Sequence, residues 1–464
     1  MICLKTYDEN IKMVKTIAEK VKECGGKTYY VGGFVRDKMS GTNNKDIDVE
    51  IHGVSCSVLE GILKSLGELI TIGKNFGVYN LKGYGIDIAM PRSEKNRGKG
   101  HKNFEIYVEP FIGTYDASKR RDFTVNSIMQ DVLTGEIVDH FGGKGDLKNG
   151  IIRHVNSKTF REDPLRVLRA AQFAARFNYK IADETLVLCK DMDLSELPKE
   201  RVIIETEKAM LKADKPSIFF ESLKTMDQLE CWFPELKNLI GIEQNPKHHS
   251  EGDVWVHTMM VLDKAVKFRE QVDMPFAFML SAICHDFGKA VCTNIVNGEI
   301  HAYEHEVKGL PLAETFLKRL TDEKSVIKYV LNLTEFHMKP NTLAANNSSI
   351  KSTNKMFDAA IDPKALICIA IADGLGKTAP REYISYDKYL FERLKIYREY
   401  MSRPFVTGKD LIDVGVQPSE KFSEYLQFAH KLRLAGIDKA SAMKQTMAIV
   451  KKDQKMIVNA EKRK

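Results

Sequence analysis

Two aspartates, two positions apart, carry the first candidate chemistry in this sequence. Residues 45–51 alternate between polar and apolar side chains and predict a strand with Asp46, Asp48 and Glu50 on one face. Ionised carboxylates on one strand face repel each other, so the arrangement disfavours stability. It suits a divalent cation, because the oxygen ligands of the ion must converge from one side. Asp46 and Asp48 are therefore candidate metal ligands, although an exposed acidic edge strand would show the same pattern.

A glycine pair shortly before this strand could bind phosphate. Residues 29–31 are β-favouring and predict a strand that stops at Gly32 and Gly33, and residues 34–39 leave room for a short helix. Backbone N–H groups at such a strand-to-helix turn can bind a phosphate group. The turn and the acidic strand together indicate a nucleoside triphosphate held through Mg²⁺ against paired aspartates.

Four further residues could complete this site. Asp87 lies between two isoleucines of a predicted strand and could be a third carboxylate, although an exposed strand residue is an equally good interpretation. Arg120 and Arg121 precede Asp122 and a β-like run. The arginines could neutralise a triphosphate and the aspartate could accept from a ribose hydroxyl, unless the three form a surface charge cluster.

These motifs resemble those of a known enzyme family. GGFVRD at residues 32–37, followed by DID at residues 46–48, resembles the signature of class II tRNA nucleotidyltransferases and bacterial poly(A) polymerases. RRDFTVNS at residues 120–127 is similar to the second motif of the family, and DHFGGKGDL at residues 139–147 to its hinge. The resemblance implies that Asp46 and Asp48 are catalytic and hold Mg²⁺. It also implies that the nucleotide is bound by Gly32, Gly33, Arg36, Arg120, Arg121, Asp122 and Asn126.

The stretch EDPLRVLR at residues 162–169 predicts a helix start with a cap. Pro164 suits the first helical position, which makes Asp163 a candidate N-cap, and capping alone would explain that residue. In the resembled family a Glu-Asp-x-x-Arg motif pairs with the incoming CTP or ATP. The resemblance therefore implies that Asp163 and Arg166 select the base and that Arg169 supports them.

A second set of candidate ligands lies in the C-terminal half of the chain. His285 and Asp286 are adjacent at the end of a predicted apolar helix, where burying them is costly unless they bind something. Mixed imidazole and carboxylate ligands suit a transition metal such as Mn, Ni, Co or Fe, or Zn, better than Mg. The order of these residues resembles the HD phosphohydrolase superfamily. The resemblance implies a metal site of His257, His285, Asp286, His305, His337 and Asp373.

One position of this second set has two candidates. His305 is preferred over His301, because Gly309 follows His305 at the spacing of the superfamily. The superfamily usually has glycine before this histidine, whereas this chain has Glu304. The sequence therefore leaves open whether the site holds one metal ion or two. The resemblance implies a metal-dependent phosphohydrolase activity.

Composition limits the class of protein. The chain has 464 residues, 43% of them hydrophobic, which predicts two to four globular domains. No run reaches the ~18 apolar residues of a membrane span, and the N-terminus lacks a signal-peptide pattern. The eight cysteines form no C-x-x-C pair and predict reduced thiols in a cytoplasmic protein. The net charge of +7 permits an anionic partner without identifying nucleic acid.

The predicted architecture has four parts. Residues 1–150 predict an α+β nucleotidyltransferase head, a mixed sheet with helices, and residues 151–245 an all-α neck that carries the base-selecting motif. Residues 246–400 predict an all-α HD domain and residues 401–464 a helical, basic tail. The first half of residues 93–113 is polar and glycine-rich and predicts a mobile loop over the head site.

The combined motifs favour template-independent addition of CCA to tRNA 3′ ends. The resemblance implies tRNA, CTP and ATP as partners, without a membrane and without an obligatory protein partner. A poly(A) polymerase would share the head motifs and remains an alternative. A second alternative, of another class, is an HD phosphohydrolase whose head binds RNA without turnover. The intact DID and EDPLR motifs argue against it.

Overall fold

The computed structural model describes residues 5–42, 46–71, 77–96, 104–247, 249–378 and 385–461. The chain divides into two compact units, Met1–Trp232 and Phe233–Lys464. The predicted boundaries near residues 150 and 400 fall inside these units and stay predictions.

The first unit contains a mixed seven-stranded sheet with helices, as the sequence predicts. The strands of this unit are β1 (Lys27–Val31), β2 (Ile47–His52), β3 (Leu69–Thr71), β4 (Val78–Leu81), β5 (Ile86–Ala89), β6 (Arg92–Asn96), β7 (Phe104–Val108), β8 (Met129–Asp131), β9 (Ile137–Val138), β10 (Ile151–Ile152) and β11 (Lys180–Ile181). The order in the main sheet is β3-β4-β5-β2-β1-β8-β9, so β2 is the central strand. β2 pairs parallel with β5 and antiparallel with β1.

Helices cover the sheet and continue beyond it. They are α1 (Tyr7–Glu23), α2 (Gly32–Met39), α3 (Cys56–Leu66), α4 (Gly113–Lys119), α5 (Gly143–Asn149), α6 (Ser157–Phe160), α7 (Leu165–Phe177), α8 (Asp183–Lys190), α9 (Lys199–Lys212) and α10 (Ser217–Thr225). α1 begins with a capping box in which Thr6 and Glu9 satisfy each other's backbone N–H groups. Its buried face, which includes Val14, Ile17 and Val21, joins the core that β2 supplies with Ile47 and its neighbours.

Three local predictions for the first unit differ from the structure. Asp46 lies one residue before β2, and Lys45 lies outside the described residues. The predicted β-like run after Asp122 is a single 3-10 turn, Thr124–Asn126, because the backbone N–H groups of residues 126 and 127 bond back to residues 123 and 124. The predicted loop begins instead as β6, which pairs with β7, and its remaining residues 97–103 lie outside the described part of the chain.

In the part of the second unit that the structure describes, the elements are helices apart from one short hairpin, β12 (Asn294–Val296) with β13 (Glu299–His301). The hairpin corrects the all-helical prediction for residues 246–400; Gly298, with φ +78°, supplies its turn. The helices are α11 (Pro234–Lys237), α12 (Val254–Ala265), α13 (Pro275–Cys284), α14 (Lys289–Cys292), α15 (His305–Lys308), α16 (Leu310–Leu320), α17 (Lys324–Phe336), α18 (Lys339–Ala345), α19 (Ile350–Ala359), α20 (Pro363–Leu375), α21 (Asp387–Ser402), α22 (Gly408–Asp413), α23 (Phe422–Leu434) and α24 (Lys439–Glu461).

The composition-based expectations can be compared with the described residues. The seven cysteines among them form no disulfide, and the reduced state of the thiols stays a prediction. None of the helices in the described part of the chain is long and apolar enough to cross a membrane. The cytoplasmic location stays a prediction.

Candidate functional site

The sheet places three carboxylates at one end of its central strands. Asp48 of β2 and Asp87 of β5 are direct partners in the parallel register, and Asp46 comes just before β2. Burial, the charge of Asp87 and the charge of Asp46 together raise the pKa of Asp48 to about 6, although Arg121 and Arg36 oppose the shift. The negative charge at this point is therefore only partly compensated by the protein, as expected for a cation site.

The glycine turn lies directly against these carboxylates. α2 begins at Gly32, whose φ of +63° lies in the left-handed region that favours glycine. A Cβ atom at Gly32 would lie 3.3 Å from a guanidinium nitrogen of Arg121 and 3.9 Å from Asp48 Oδ2. Gly32 and Gly33 therefore bring the backbone N–H groups at the start of α2 close to the carboxylates, where a polyphosphate could bridge both.

Ion pairs hold the arginines around this turn. Arg121 Nη2 donates to Glu50 Oε2 at 2.9 Å, and Glu50 Oε1 lies 2.9 Å from His52 Nε2. Buried Arg36 donates from Nε to Asp37 Oδ1 at 2.8 Å and from Nη1 to Asn126 Oδ1 at 2.6 Å. These hydrogen bonds fix the guanidinium groups of Arg36 and Arg121 in position near the glycine turn.

Asp122 links the head to α7. Arg169 donates to Asp122 Oδ2 from Nε at 2.8 Å and from Nη2 at 2.6 Å. Asn126 Nδ2 and the Phe123 backbone N–H both donate to Oδ1. Burial raises the pKa of Asp122, but the charge of Arg169 and these hydrogen bonds outweigh it, so the carboxyl is ionised well below neutral pH. Arg169 therefore fixes Asp122 through two charge-assisted hydrogen bonds to the same carboxylate oxygen.

The predicted base-selecting residues do not pair with each other. Arg166 donates to the Thr159 carbonyl from Nη1 and to the Arg120 carbonyl from Nη2, both at 2.8 Å. Asp163 accepts from the Leu165 backbone N–H at 3.2 Å, and its other oxygen accepts from Arg201 of α9 at 2.8 Å. Helix α7 begins one residue later than predicted, yet the capping contact of Asp163 is present. Three of the five N–H donors of Arg166 remain available to a ligand.

A cavity of about 540 Å³ gathers most of the residues that the sequence singles out for the head. It is lined by Gly32, Gly33, Arg36, Asp46, Asp48, Arg121, Asp122, Asn126, Asp163, Arg166 and Arg169. Arg120 lines a neighbouring cavity of about 450 Å³ instead. Phe173, Arg176 and Lys212 also line the main cavity and were missed from the sequence. Phe173 and Arg176 follow Arg166 and Arg169 at helical spacing. The sequence could therefore have indicated that all four side chains lie on one face of the same helix.

The second unit brings together all six predicted HD residues. His257 lies in α12, His285 and Asp286 follow α13, His305 opens α15, His337 ends α17 and Asp373 lies in α20. Their ligand atoms form two adjacent groups, one of His257, His285 and Asp373 and one of Asp286, His305 and His337, each within 4.8 Å. All six residues are buried. His301, the alternative to His305, lies outside both groups and stacks on Tyr303.

Backbone carbonyls orient three of the imidazoles. Nδ1 of His285 lies 2.9 Å from the Ala282 carbonyl, and Nδ1 of His305 lies 2.9 Å from the Ala302 carbonyl. Nδ1 of His337 lies 2.7 Å from a carbonyl three residues earlier. Because a carbonyl oxygen only accepts, Nδ1 carries a proton in each case, and Nε2 is the nitrogen that can face a metal ion. Burial and the neighbouring histidines lower the pKa of His337 to about 3, so this ring is neutral.

A buried glutamate orients the fourth imidazole. Nδ1 of His257 lies 3.0 Å from Glu251 Oε1, the same oxygen that His249 Nδ1 approaches at 2.8 Å. The Thr378 backbone N–H donates to the other oxygen of Glu251 at 3.0 Å. This carboxylate–histidine contact is typical of residues behind a metal ligand. Nothing in the sequence pattern separated Glu251 from an ordinary surface acid.

Lysines compensate the carboxylates of this second cluster. Lys289 Nζ lies 2.7 Å from Asp286 Oδ2, and Lys377 Nζ lies 3.0 Å from Asp373 Oδ2. Burial raises the pKa of Asp286, but His285 and Lys289 outweigh it and hold the pKa well below its ordinary value. Burial likewise raises the pKa of Asp373 and is outweighed, chiefly by Lys377. The cluster borders a cavity of about 620 Å³. The donor set fits a transition-metal ion.

Glu304 occupies the position where the superfamily usually has glycine. Its φ of +59° lies in the left-handed region, which explains physically why glycine would be favoured before His305. The backbone keeps this conformation with a glutamate, and His305 still reaches Asp286, with Nε2 3.3 Å from Oδ1.

The fold and the two clusters define a nucleotidyltransferase head followed by a helical region. The family model for the Poly A polymerase head domain matches residues 28–153. The Multifunctional CCA protein of Pasteurella multocida (strain Pm70) is 35% identical over 407 residues, which cover 84% of this chain and 92% of that protein. That of Actinobacillus pleuropneumoniae serotype 5b (strain L20) is 37% identical over 318 residues, 67% of this chain and 74% of that protein. The chain belongs to this family of class II CCA-adding tRNA nucleotidyltransferases.

Solved structures agree with this fold. A complex of a CCA-adding enzyme with ATP superposes with a TM-score of 0.66 at 20% identity and covers 96% of this chain and 94% of that chain. A Thermotoga maritima CCA-adding enzyme complexed with tRNA superposes with a TM-score of 0.63 at 19% identity, covering 97% and 100%. A nucleotidyltransferase head implies the use of a divalent metal, and the carboxylates beside Gly32 fit Mg²⁺.

Proposed function

We propose that this protein adds CCA to the 3′ ends of tRNA from CTP and ATP and releases pyrophosphate. The observation that carries the proposal is the head cavity, where a partly uncompensated carboxylate group faces a glycine turn and a fixed donor–acceptor set. No nucleic-acid template is needed if side chains present the edge that the incoming base must match.

The base-selecting role rests on Asp163 and Arg166. Backbone carbonyls hold the Arg166 guanidinium, and Arg201 holds the Asp163 carboxylate, while both groups keep unused hydrogen-bonding capacity. A fixed donor fork beside a fixed acceptor can distinguish cytosine and adenine from uracil and guanine by their hydrogen-bonding edges. Arg169 supports this pair by fixing Asp122 beside the ribose.

The reaction itself requires positioning and charge neutralisation. The tRNA 3′-oxygen forms a bond to the α-phosphorus as the bond from that phosphorus to pyrophosphate breaks. Gly32, Gly33, Arg36 and Arg121 hold the triphosphate, and Arg120 contributes from the adjoining cavity. Asp46 and Asp48, with Asp87 beside them, would hold Mg²⁺, which would supply Lewis-acid stabilisation of the charge that develops.

One assay tests the proposal directly. Purified full-length protein is incubated with tRNA that lacks its terminal CCA, with all four nucleoside triphosphates in competition, and the 3′ ends are sequenced. Addition of C, C and A in that order is the expected result. Runs of A alone would indicate a poly(A) polymerase, and unextended ends would remove the proposed activity.

We propose a second activity for the helical unit, metal-dependent hydrolysis of phosphomonoesters or 2′,3′-cyclic phosphodiesters. The two adjacent ligand groups beside a cavity of about 620 Å³ favour it. His257, His285, Asp286, His305, His337 and Asp373 would hold one or two ions. A bound Mn²⁺, Ni²⁺, Co²⁺ or Fe²⁺ would polarise the phosphoester and acidify a water. Lys289 and Lys377, at the cavity wall, would attract the substrate phosphate.

The second activity has its own test. Metal-stripped protein is supplied with each of these ions, or with Mg²⁺, and assayed with p-nitrophenyl phosphate and 2′,3′-cyclic AMP. Hydrolysis that a transition metal supports better than Mg²⁺ is expected. Equal hydrolysis without added metal, or none with any ion, would contradict the proposal.

A further inference from the structure

Charged side chains face each other at successive levels between α7 and α9. Asp163, just before α7, pairs with Arg201, and further along Arg169 Nη1 lies 3.6 Å from Glu205 Oε1. Residue numbers rise together in both helices, so α7 and α9 run in the same direction. About two turns beyond the second pair, the same register places Arg176 of α7 level with Lys212 of α9. The first two levels join opposite charges, whereas the third joins two cations.

The third level belongs to the head cavity. Arg176 and Lys212 both line it, and neither has an ion pair or hydrogen bond to an acid among the described residues. The Arg176 guanidinium lies 5.0 Å from the ring centre of Phe177, the ring that Arg36 also covers at 4.5 Å. Burial lowers the pKa of Arg36, and the charge of Arg176 lowers it further, so the cations already repel each other. Such an arrangement is stabilised when an anion binds between them.

Helix dipoles give only a partial account of this pair. Each cation lies in the last turn of its helix, where the macrodipole favours positive charge. The macrodipole explains why a positively charged residue is favoured at each of the two positions taken separately. It does not require both side chains to line one cavity at the same level, where they add to the charge of Arg36.

We propose that Arg176 and Lys212 together bind a phosphate group of a substrate in the head cavity. The inference rests on the proposed nucleotidyl transfer and adds two residues to its binding site. A guanidinium offers a planar fork and an ammonium a compact charge, and both bind phosphate oxygens. The phosphate belongs either to the triphosphate of the incoming nucleotide or to a phosphodiester near the RNA 3′ end, because both present the same anionic oxygens.

The test compares the double variant Arg176→Gln/Lys212→Gln with wild type in the full-length protein. Equilibrium titrations measure binding of CTP and of tRNA lacking CCA, and steady-state addition gives KM and kcat for each. Loss of charged hydrogen bonds worth about 1.5–3 kcal/mol predicts a rise of about tenfold or more in Kd and KM for one substrate. We expect kcat to change much less, and Arg176→Lys to keep most of the affinity.

The CTP titration and the tRNA titration together identify the source of the phosphate. Weaker CTP binding with unchanged tRNA binding assigns the pair to the triphosphate. Weaker tRNA binding, with a salt dependence shallower by about 0.7 in log–log slope per lost contact, assigns it to the RNA backbone. The control Lys190→Gln removes a cation from the last turn of α8 and should change neither affinity. Unchanged binding of both substrates by the double variant overturns the inference. Normal binding with no CCA addition by wild type would instead refute the proposed function.

Discussion

The two candidate metal sites of this protein differ in how far protein cations compensate their carboxylates. In the head, Asp48 adjoins Asp87 and Asp46, and its pKa rises to about 6. In the helical unit, Lys289 and Lys377 contact the carboxylates of Asp286 and Asp373, whose pKa values fall well below the ordinary range. The head therefore depends on bound cations to compensate its acids. In the helical cluster, lysines already compensate the carboxylates. The preference of this site for one metal ion over another must therefore come from its imidazole nitrogens.

The first way to break this comparison is to remove the head acids. Asp46→Ala and Asp48→Ala should each lower nucleotide addition by about 10³-fold or more, because each loses metal-supported stabilisation of several kcal/mol. Incorporation of labelled CTP into tRNA lacking CCA measures the loss. Glu68→Ala removes an exposed acid of the same unit, paired with Lys82, and should leave addition unchanged. Near wild-type addition by either aspartate variant would end the assignment.

The second way is to remove the helical cluster alone. His285→Ala together with Asp286→Ala should abolish hydrolysis of p-nitrophenyl phosphate, because two ligands of the transition metal are lost. CCA addition should stay within about twofold of wild type if the two sites act independently. Both activities are measured on one preparation. Loss of addition in a protein that still melts like wild type would show that the sites are coupled.

Base selection tests whether the head cavity reads its nucleotide through side chains. Arg166→Ala should reduce the preference for CTP and ATP over UTP and GTP by about 1–3 kcal/mol, or roughly 5–150-fold. Competition among the four nucleotides, followed by sequencing of the ends, measures it. Arg161→Ala removes an exposed arginine paired with Asp191 and serves as the matched control. Full selectivity in the Arg166 variant would exclude a protein template.

A milder change tests how the helical cluster fixes its imidazoles. Glu251→Gln keeps the volume but weakens the contact to His257 Nδ1, and metal affinity should fall by about 10–100-fold. Competition with a chelator measures the affinity for Mn²⁺ or Ni²⁺ directly. Glu299→Gln, which lines the same cavity but pairs with exposed Lys247, should change the affinity little. Equal affinities for the two variants would contradict the role of Glu251.

The smallest predicted effect concerns stability of the metal-free head. The pKa of Asp48 is raised from 3.8 to about 6, so its stabilising contribution is present below about pH 4 and is lost as the pH rises through 6. Asp48→Asn should therefore increase the free energy of unfolding by about 1–3 kcal/mol at pH 7.5. The gain should disappear near pH 4. Urea unfolding with EDTA at both pH values measures it, and equal gains would contradict the pKa argument.

Residue periodicity predicts the parts of each site that lie close together in sequence. The acidic strand, the glycine turn and the His285–Asp286 pair each follow from a few neighbouring side chains, and the structure brings them to their clusters. The choice of His305 over His301 also agrees with the geometry, since His301 lies on a hairpin strand outside the ligand groups. Such features are local because strand alternation and helix ends are set by adjacent residues.

Features that depend on register between distant segments were beyond reach of the sequence. The sequence leaves Asp87 open between a third carboxylate and an exposed strand residue, because only the parallel register of β2 and β5 places it beside Asp48. Arg201 pairs with Asp163 because α9 packs along α7. Arg176 and Lys212 become one group through the same packing. A one-residue shift in either helix would rotate these side chains away by about 100°.

The wide sequence spacing of the helical cluster has a consequence for folding. His257 and Asp373 are separated by 116 positions, yet their side chains lie 3.1 Å apart. Contacts of such high sequence separation form late, because long loops must close first. An unfolded or partly folded chain therefore lacks the site, and an ion that binds it selects the native state and slows local opening of every helix that supplies a ligand. Hydrogen exchange in α12 and α20 would slow together when the ion binds.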